Sequence, residues 1–445
     1  MNQPRTAPRI CLTLPTNRAC SATLPAIHEE AAYAARRFAA DVRLLVLDSS
    51  GHPTRAEHAR VVAGLPAVPG VSVHHLGEEP QRDFLRRVVR ATGLPDPDRL
   101  LRLMLPAAVS YGACTNRAFL LAAALGCRSV HRRDSDSTYQ LHAGRPVFPV
   151  HHELPWLGRP AGEAAAGVTR TDLDATLADR PVSLAGASFI GELSVDIGEI
   201  RRLDEGVHHD VVSLWAPPGW PEERKRELVE ESFTGAGTTP FTGDHSALTL
   251  VDPMRVDMCN IAFDREVYER IPLPPATDTI GSDYFLLHLV HDARLPGILH
   301  NRHIENFHTP ERRSDTGFPA YQRRFVKFLL SMLYFHHVYD RMAAEGDRLL
   351  DGTLRVRPEA VTALLRESTG LDRAENVWRL DRVDTAYRKL GGRYAAFADR
   401  LAAERDRLLD EAESDIADFA HLVEAWPALV RAARTTALGP GDGPA

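Results

Sequence analysis

Arg132-Arg133-Asp134-Ser135-Asp136-Ser137-Thr138 is the stretch on which the reading of this chain turns. Two carboxylates stand one residue apart, directly after a short segment, Cys127 to His131, that reads as a strand. A run from Tyr111 to Leu125 before it reads as a helix. An Asp-x-Asp at a strand end aims two hard oxygen ligands into the crevice beyond the carboxyl edge of an open α/β sheet, where such sheets bind ligands. Carboxylates suit Mg²⁺ or Mn²⁺, which also take water and phosphate oxygens. The pattern points to a divalent ion clamping a diphosphate. An isolated Asp-x-Asp is more often a solvated acidic turn, so the rest of the chain has to decide.

Composition narrows the field. The chain has 445 residues, of which 44% are hydrophobic and 25% charged, enough for a large core and about two to three domains. A formal net charge of −7 gives no reason to expect nucleic acid as the main partner. The basic residues are almost all arginine; the lysines are Lys225, Lys327 and Lys389. Cys11, Cys20, Cys114, Cys127 and Cys259 are odd in number and scattered, which argues against a disulfide scaffold or a structural zinc and for a reducing compartment. The apolar run Ile10 to Leu14 is too short for a signal-peptide core and reads as a first strand. Phe325 to Tyr339 carries Lys327, His336 and His337 and falls short of the roughly 20 apolar residues of a membrane span. A soluble, cytoplasmic protein with no membrane partner is expected.

Outward from the Asp-x-Asp, apolar strands alternate with helices. Ile10 to Leu14 ends in Pro15-Thr16-Asn17-Arg18, Val42 to Leu47 ends in Asp48-Ser49-Ser50, and a third strand follows at Val71 to Leu76. That alternation predicts a mainly parallel sheet built from βαβ units, with its chemistry in the loops at the carboxyl edge. Helical pattern runs from Pro80 to about Leu105, and Thr115 or Asn116 could cap the Ala/Leu-rich helix that follows. From Gln140 to about Ala185 the chain is rich in Pro, Gly and His, with a helix expected near Thr171 to Ala178. Strands are expected at Ala185 to Val195, Ala247 to Val251, Met258 to Phe263 and Gly297 to Asn301, and Asp283 opens an apolar helix. Beyond Arg312 the pattern is helical. Leu380, Tyr387, Tyr394, Leu401 and Leu408 recur every seven residues, with Gly391-Gly392 as a break, so packed helices or a hairpin are expected rather than one coiled coil.

The order strand–Pro-Thr-Asn-Arg, strand–Asp-Ser-Ser, helix with Asn116-Arg117, strand–Asp-x-Asp, then a strand, a loop into Asp283 and a His-bearing loop resembles the GT-A class of nucleotide-sugar-dependent glycosyltransferases. The resemblance spans roughly residues 8–310 and is closest to the group whose first strand ends in Pro-Thr-x-x-Arg, although Pro15-Thr16-Asn17-Arg18 has one residue fewer before its arginine. It implies a GT-A-like (Rossmann-like) α/β fold, with a mixed, mainly parallel sheet flanked by helices and an all-α C-terminal region. The implied division is a catalytic domain over 1–312 with an acceptor-side insertion at 140–241, a helical region over 313–436 and a disordered tail over 437–445. By the same resemblance Pro15, Thr16, Asn17 and Arg18 line the base and ribose, Asp48 bonds the base, and Asn116 and Arg117 lie against the nucleoside or sugar. Asp134 faces ribose or sugar hydroxyls with Arg133 and Ser135 beside it, and Asp136 ligates the metal. His308, or failing that His303, is the third-ligand candidate, and Asp134 a further one. Asp283 is the candidate base toward an acceptor hydroxyl, with Asp278 as its competitor.

The implied activity is transfer of a sugar from a nucleoside diphosphate donor, UDP-linked by expectation, to a small-molecule or peptide acceptor with Mn²⁺ or Mg²⁺. Specialised metabolism is the expected setting, and the C-terminal helices offer a homodimer surface. Two departures stand out: Arg128 to Arg133 is unusually charged for a buried strand, and Ser282-Asp283 replaces a Glu-Asp pair. Asp134-Ser-Asp136-Ser-Thr138 also resembles, locally, the opening of haloacid-dehalogenase-type phosphatases, with Asp134 as nucleophile, Asp136 as acid/base and a later lysine required. A non-catalytic nucleotide-binding module is the third alternative.

Overall fold

A computed structural model describes residues 7–193, 195, 197–307 and 317–439. The first strand, β1 (Arg9–Thr16), pairs in parallel with β2 (Asp41–Asp48) and with β4 (Ser129–Arg133), and β2 pairs in parallel with β3 (Val71–Gly77). β1 and β2 carry apolar residues on both faces because both faces are covered. Ile10, Leu12, Leu14, Val42, Leu44 and Val46 pack under the helix Thr23–Phe38, while the alternate residues Cys11, Leu45 and Leu47 face the opposite layer.

After β4 the chain makes the short strand β5 (Ser137–Tyr139), the hairpin β6 (Leu141–His142) and β7 (Arg145–Pro146), and the edge strand β8 (Arg170–Thr171). Then follow β9 (Leu184–Gly186), β10 (Phe189–Gly191), β11 (Ser246–Thr249), β12 (Asn260–Asp264), β13 (Gly297–His300) and β14 (Ile304–Asn306). Among the described residues the large sheet has the order β3-β2-β1-β4-β12-β9-β13-β11-β8, and β10-β14-β5 form a small second sheet. The large sheet is mixed and mainly parallel, as expected. β12 runs antiparallel to β4, with Asn260 opposite Arg133. The residues just before β12 therefore sit at the carboxyl edge of β1 and β4.

The helical region is not a separate body. Phe285 meets Phe419 edge-on at 4.8 Å, and the buried Trp426 indole donates to the Tyr268 carbonyl at 2.9 Å. One apolar core runs from Phe119 and Phe263 under the sheet through the helices Gly317–Glu345, Pro358–Ser368, Ala374–Leu390 and Gly392–Thr435. The break falls at Gly391-Gly392, both at positive φ (72° and 51°), which a side chain would resist. The result is a hairpin in which Tyr387 and Tyr394 meet at 5.2 Å. The seven-residue seam, including Leu380, Tyr387, Leu401 and Leu408, is buried within the chain.

Several local expectations are corrected. Ser110, not Thr115 or Asn116, caps the helix Tyr111–Ala124, its hydroxyl accepting from the Ala113 amide at 3.1 Å. The helix expected near Thr171 is β8 followed by a single 3-10 turn, Ala175–Leu177, whose start Asp174 caps. Ala185 to Val195 is two short strands in different sheets. The strand before the Asp-x-Asp extends through Arg133, so both arginines belong to it. Within the expected tail, residues 440–445 lie outside the described residues. Among the described residues no helix is long and apolar enough to cross a membrane.

Candidate active site

Strand alternation sends the charged residues of β4 to two places. His131 and Arg133 share one face; Arg132 takes the other. Arg133 donates to Glu30 at 2.8 and 3.0 Å and to Glu153 at 2.9 Å, while His131 Nδ1 lies 2.7 Å from Glu153. Burial would raise the Glu153 carboxyl, but Arg133 and His131 hold it down at about 2. Arg133 is thus a core cation and does not reach the cleft, because two buried carboxylates claim it.

Arg132 points into the cleft. Its guanidinium donates to Asp283 at 2.5 Å and lies 3.1 Å from Asp134. Asp136 receives Arg18 at 2.6 Å. Burial, reinforced by Asp136, Asp283 and Asp257, pushes the Asp134 carboxyl up to about 6 against the pull of Arg132. The cleft over these residues is lined on one side by Pro15, Thr16, Asn17, Arg18, Ser49, Arg117 and Ser135. A second chamber on the other side is lined by Asp257, Asp283 and Tyr284 among others, and Tyr111, Arg132, Asp134 and Asp136 form the shared boundary. Most of the expected residues are thereby brought together: Pro15 to Arg18, Arg117, Asp134 to Asp136, and Asp283.

Others are placed elsewhere. Asp48 is fully buried and its oxygens are engaged: one accepts the Ser50 amide, the other meets His58 Nδ1 and His75 Nε2, each at 2.8 Å. Burial would raise Asp48, but the hydrogen bonds from His75, His58 and Ser50 hold it far below the usual carboxylate range. Asp48, His58 and His75 are compact enough to suggest a metal site. Yet the Cys20 amide donates to His58 Nε2 at 3.0 Å, so the proton sits on Nδ1 and is donated to Asp48. The trio braces the loop after β1. Asn116 is also buried and bonds the Leu273 backbone reciprocally, at 2.8 and 2.7 Å. It anchors the segment that leads to Asp283.

Asp278 stands near Arg323 and Arg324, each 3.9 Å away, and lines neither chamber. His303 accepts the Ser188 amide at 3.1 Å, and burial lowers it to about 4; it faces a different hollow. His308 lies outside the described residues, although Phe307 just before it donates its amide to the Asp136 carbonyl at 3.2 Å. None of the lysines lines either chamber. Lys225 pairs with Glu222 and Lys389 with Asp204, while Lys327 bonds the Thr277 carbonyl and faces Glu411 and Asp415. The phosphatase alternative therefore lacks its lysine.

Asp257 was not singled out from sequence. Its carboxylate accepts from the Cys259 amide at 2.9 Å and from the Tyr284 hydroxyl. The available signal was an acid immediately before a strand, which reaches the functional edge only if that strand is antiparallel.

The family model that matches this chain covers residues 8–440, nearly its whole length. The chain belongs to DUF6271, a family of unknown function. No curated protein matches it. Among solved structures, a glucosyl-3-phosphoglycerate synthase from M. tuberculosis is similar at 18% identity over 73% of this chain and 80% of that one, with a TM-score of 0.35. A mannosyltransferase from Pyrobaculum calidifontis, in complex with GDP-Man and Mn²⁺, is 14% identical over 94% of this chain and 88% of that one, with a TM-score of 0.37. A mycobacterial protein is 18% identical over 74% and 80%, with a TM-score of 0.37.

Proposed function

We propose that this member of DUF6271 is a metal-dependent glycosyltransferase that moves a sugar from a nucleoside diphosphate donor, UDP-linked, to a small-molecule or peptide acceptor. The observation that carries the reading is one cleft divided by an Asp-x-Asp: Pro15 to Arg18 and Arg117 on one side, Asp283 on the other, Asp134 and Asp136 between.

The donor set fits Mn²⁺ or Mg²⁺. Asp134 and Asp136 offer hard oxygens, and both carboxylates line the cleft together. When bound, such an ion neutralises charge collecting on a leaving diphosphate. His308 is retained as a further ligand candidate; His303 is already committed to the Ser188 amide.

The chain's own groups supply the rest. Arg18, now on Asp136, is the cation that would meet the diphosphate; Arg117 lines the same side, with its guanidinium donating to Gln81 at 2.7 Å and to the Met104 carbonyl at 2.9 Å. Asp283 would take the proton of the acceptor hydroxyl, and Arg132 fixes its orientation by the 2.5 Å bond. Arg132 acts through Asp283 and Asp134 and is a positioning residue.

Calorimetric titration of UDP, GDP and dTDP with Mn²⁺ or EDTA, on the wild type and Asp136→Ala, tests this. Metal-dependent binding of one diphosphate, lost in the variant, is expected. Binding of none of them, with or without metal, would sink the reading.

A further inference from the structure

The second chamber has a volume of about 180 Å³ and is lined by aromatic residues as well as acids. Trp215 and Phe233 stack at 5.3 Å, and Phe328 stands edge-on to Trp215 at 5.5 Å. His288, also in the lining, stacks on Tyr339 at 3.7 Å, and burial lowers this imidazole to about 3, so it is neutral at pH 7. Among the described lining residues the only guanidinium is Arg132, which Asp134 and Asp283 already share. Apart from the ion that Asp134 and Asp136 would hold, the described lining offers an acceptor phosphate or carboxylate no uncommitted cation, while Asp257, Asp283 and Glu231 would repel it.

The backbone around the aromatic wall is constrained. Phe233 has φ +63°, a left-handed conformation that a bulky side chain adopts only under constraint. Gly281, at φ +68°, lets the loop before Asp283 lie so close to Phe328 that an added Cβ would stand 2.9 Å from its ring. Size sets the remaining limit. An apolar cavity of about 150 Å³ holds a benzene ring. A chamber of about 180 Å³ that opens toward Asp283 has room for one or two rings.

We propose that the acceptor is an uncharged molecule with a flat apolar body of one or two rings and a hydroxyl, seated with its rings against Trp215, Phe233 and Phe328 and its hydroxyl toward Asp283. This rests on the glycosyltransferase reading. The acceptor O–H gives its proton to the Asp283 carboxylate as its oxygen bonds to the anomeric carbon of the donor sugar. The bond from that carbon to the diphosphate oxygen breaks, and its electron pair leaves with the nucleoside diphosphate.

A matched pair of probes tests the charge and shape requirements together: naphthol and naphthyl phosphate, titrated calorimetrically into the full chain at pH 7 with the nucleotide and Mn²⁺ present. Naphthol is expected to bind at least about tenfold more tightly than its phosphate, and to weaken about tenfold in Trp215→Ala and in Phe233→Asn. Asparagine tolerates the left-handed backbone, so the second variant keeps the loop if the first does not fold. Equal or tighter binding of the phosphate, or naphthol binding untouched by either substitution, would overturn the proposal. Nucleotide binding without naphthol binding would overturn this proposal alone. Naphthol binding without any nucleotide binding would overturn the glycosyltransferase reading and the acceptor role with it.

Discussion

Arg132 and Arg133 are neighbours on one strand, both almost wholly buried (4% and 2% side-chain exposure), yet their surroundings differ in kind. The partners of Arg133, Glu30 and Glu153, have no exposure at all, so the group is sealed into the core beneath the helix Thr23–Phe38. Arg132 pairs with Asp134, which keeps 28% exposure and opens onto the cleft, and with Asp283 at its edge. A period-2 strand separates two identical side chains into a stability element and a site element. Charge in a buried strand is therefore not by itself a sign of function. What the charge faces decides.

Breaking the core half should give the largest effect. Arg133→Ala takes the guanidinium from the buried Glu30 and Glu153, and removing one partner of a buried ion pair costs about 3–5 kcal/mol. A chemical denaturation midpoint should fall accordingly, or the variant should fail to accumulate folded. On the cleft half, Arg132→Lys keeps a charge but loses the fork that holds Asp134 and Asp283 together. Turnover should fall on the order of a hundredfold, the scale of a misplaced catalytic group. Turnover is read from release of the nucleoside diphosphate with water or naphthol as acceptor; nucleotide affinity by calorimetry and the melting midpoint should stay close to wild type. Equal loss of stability in the two arginine variants would erase the distinction.

Asn116→Ala is expected to cost about 1–3 kcal/mol, since it strands a buried amide and carbonyl of Leu273. Its effect should appear in the denaturation midpoint and, through the Asp283 loop, in turnover more than in nucleotide affinity. A further effect is one of pH. Glu153 is held near 2, below the ordinary 4.5, so its contribution is fully present above about pH 4.5 and fades as the pH falls toward 2. Stability measured across that window should fall less steeply in Glu153→Gln than in the wild type.

The sheet was legible because β1 and β2 are apolar on both faces and the strands alternate with helices; β1, β2 and β3 lie where their patterns put them. The place of the Asp-x-Asp, directly after a strand at the sheet's carboxyl edge, was legible from the strand pattern before it. Asp48 and Asn116 were misplaced for a shared reason. Each is a polar residue near a functional edge, and only three-dimensional partners reveal that His58 and His75, or the Leu273 backbone, already use its atoms. Asp257 was hidden because the direction of β12 is a tertiary fact that no local pattern encodes. The aromatic chamber was invisible for a similar reason: Trp215, Phe233 and Phe328 are spread over more than a hundred residues and meet only when the helical layer folds onto the sheet.

The most direct test of the central claim, that Asp134 and Asp136 form the metal and diphosphate centre, is a crystal structure with Mn²⁺ and the selected nucleoside diphosphate, read by manganese anomalous difference density. The account predicts one strong peak in contact with the Asp136 carboxylate and the diphosphate, with Arg18 drawn off Asp136. A peak instead at Asp48, His58 and His75 or at His151, His152 and Asp244, or nucleotide bound with no manganese beside Asp136, would contradict it.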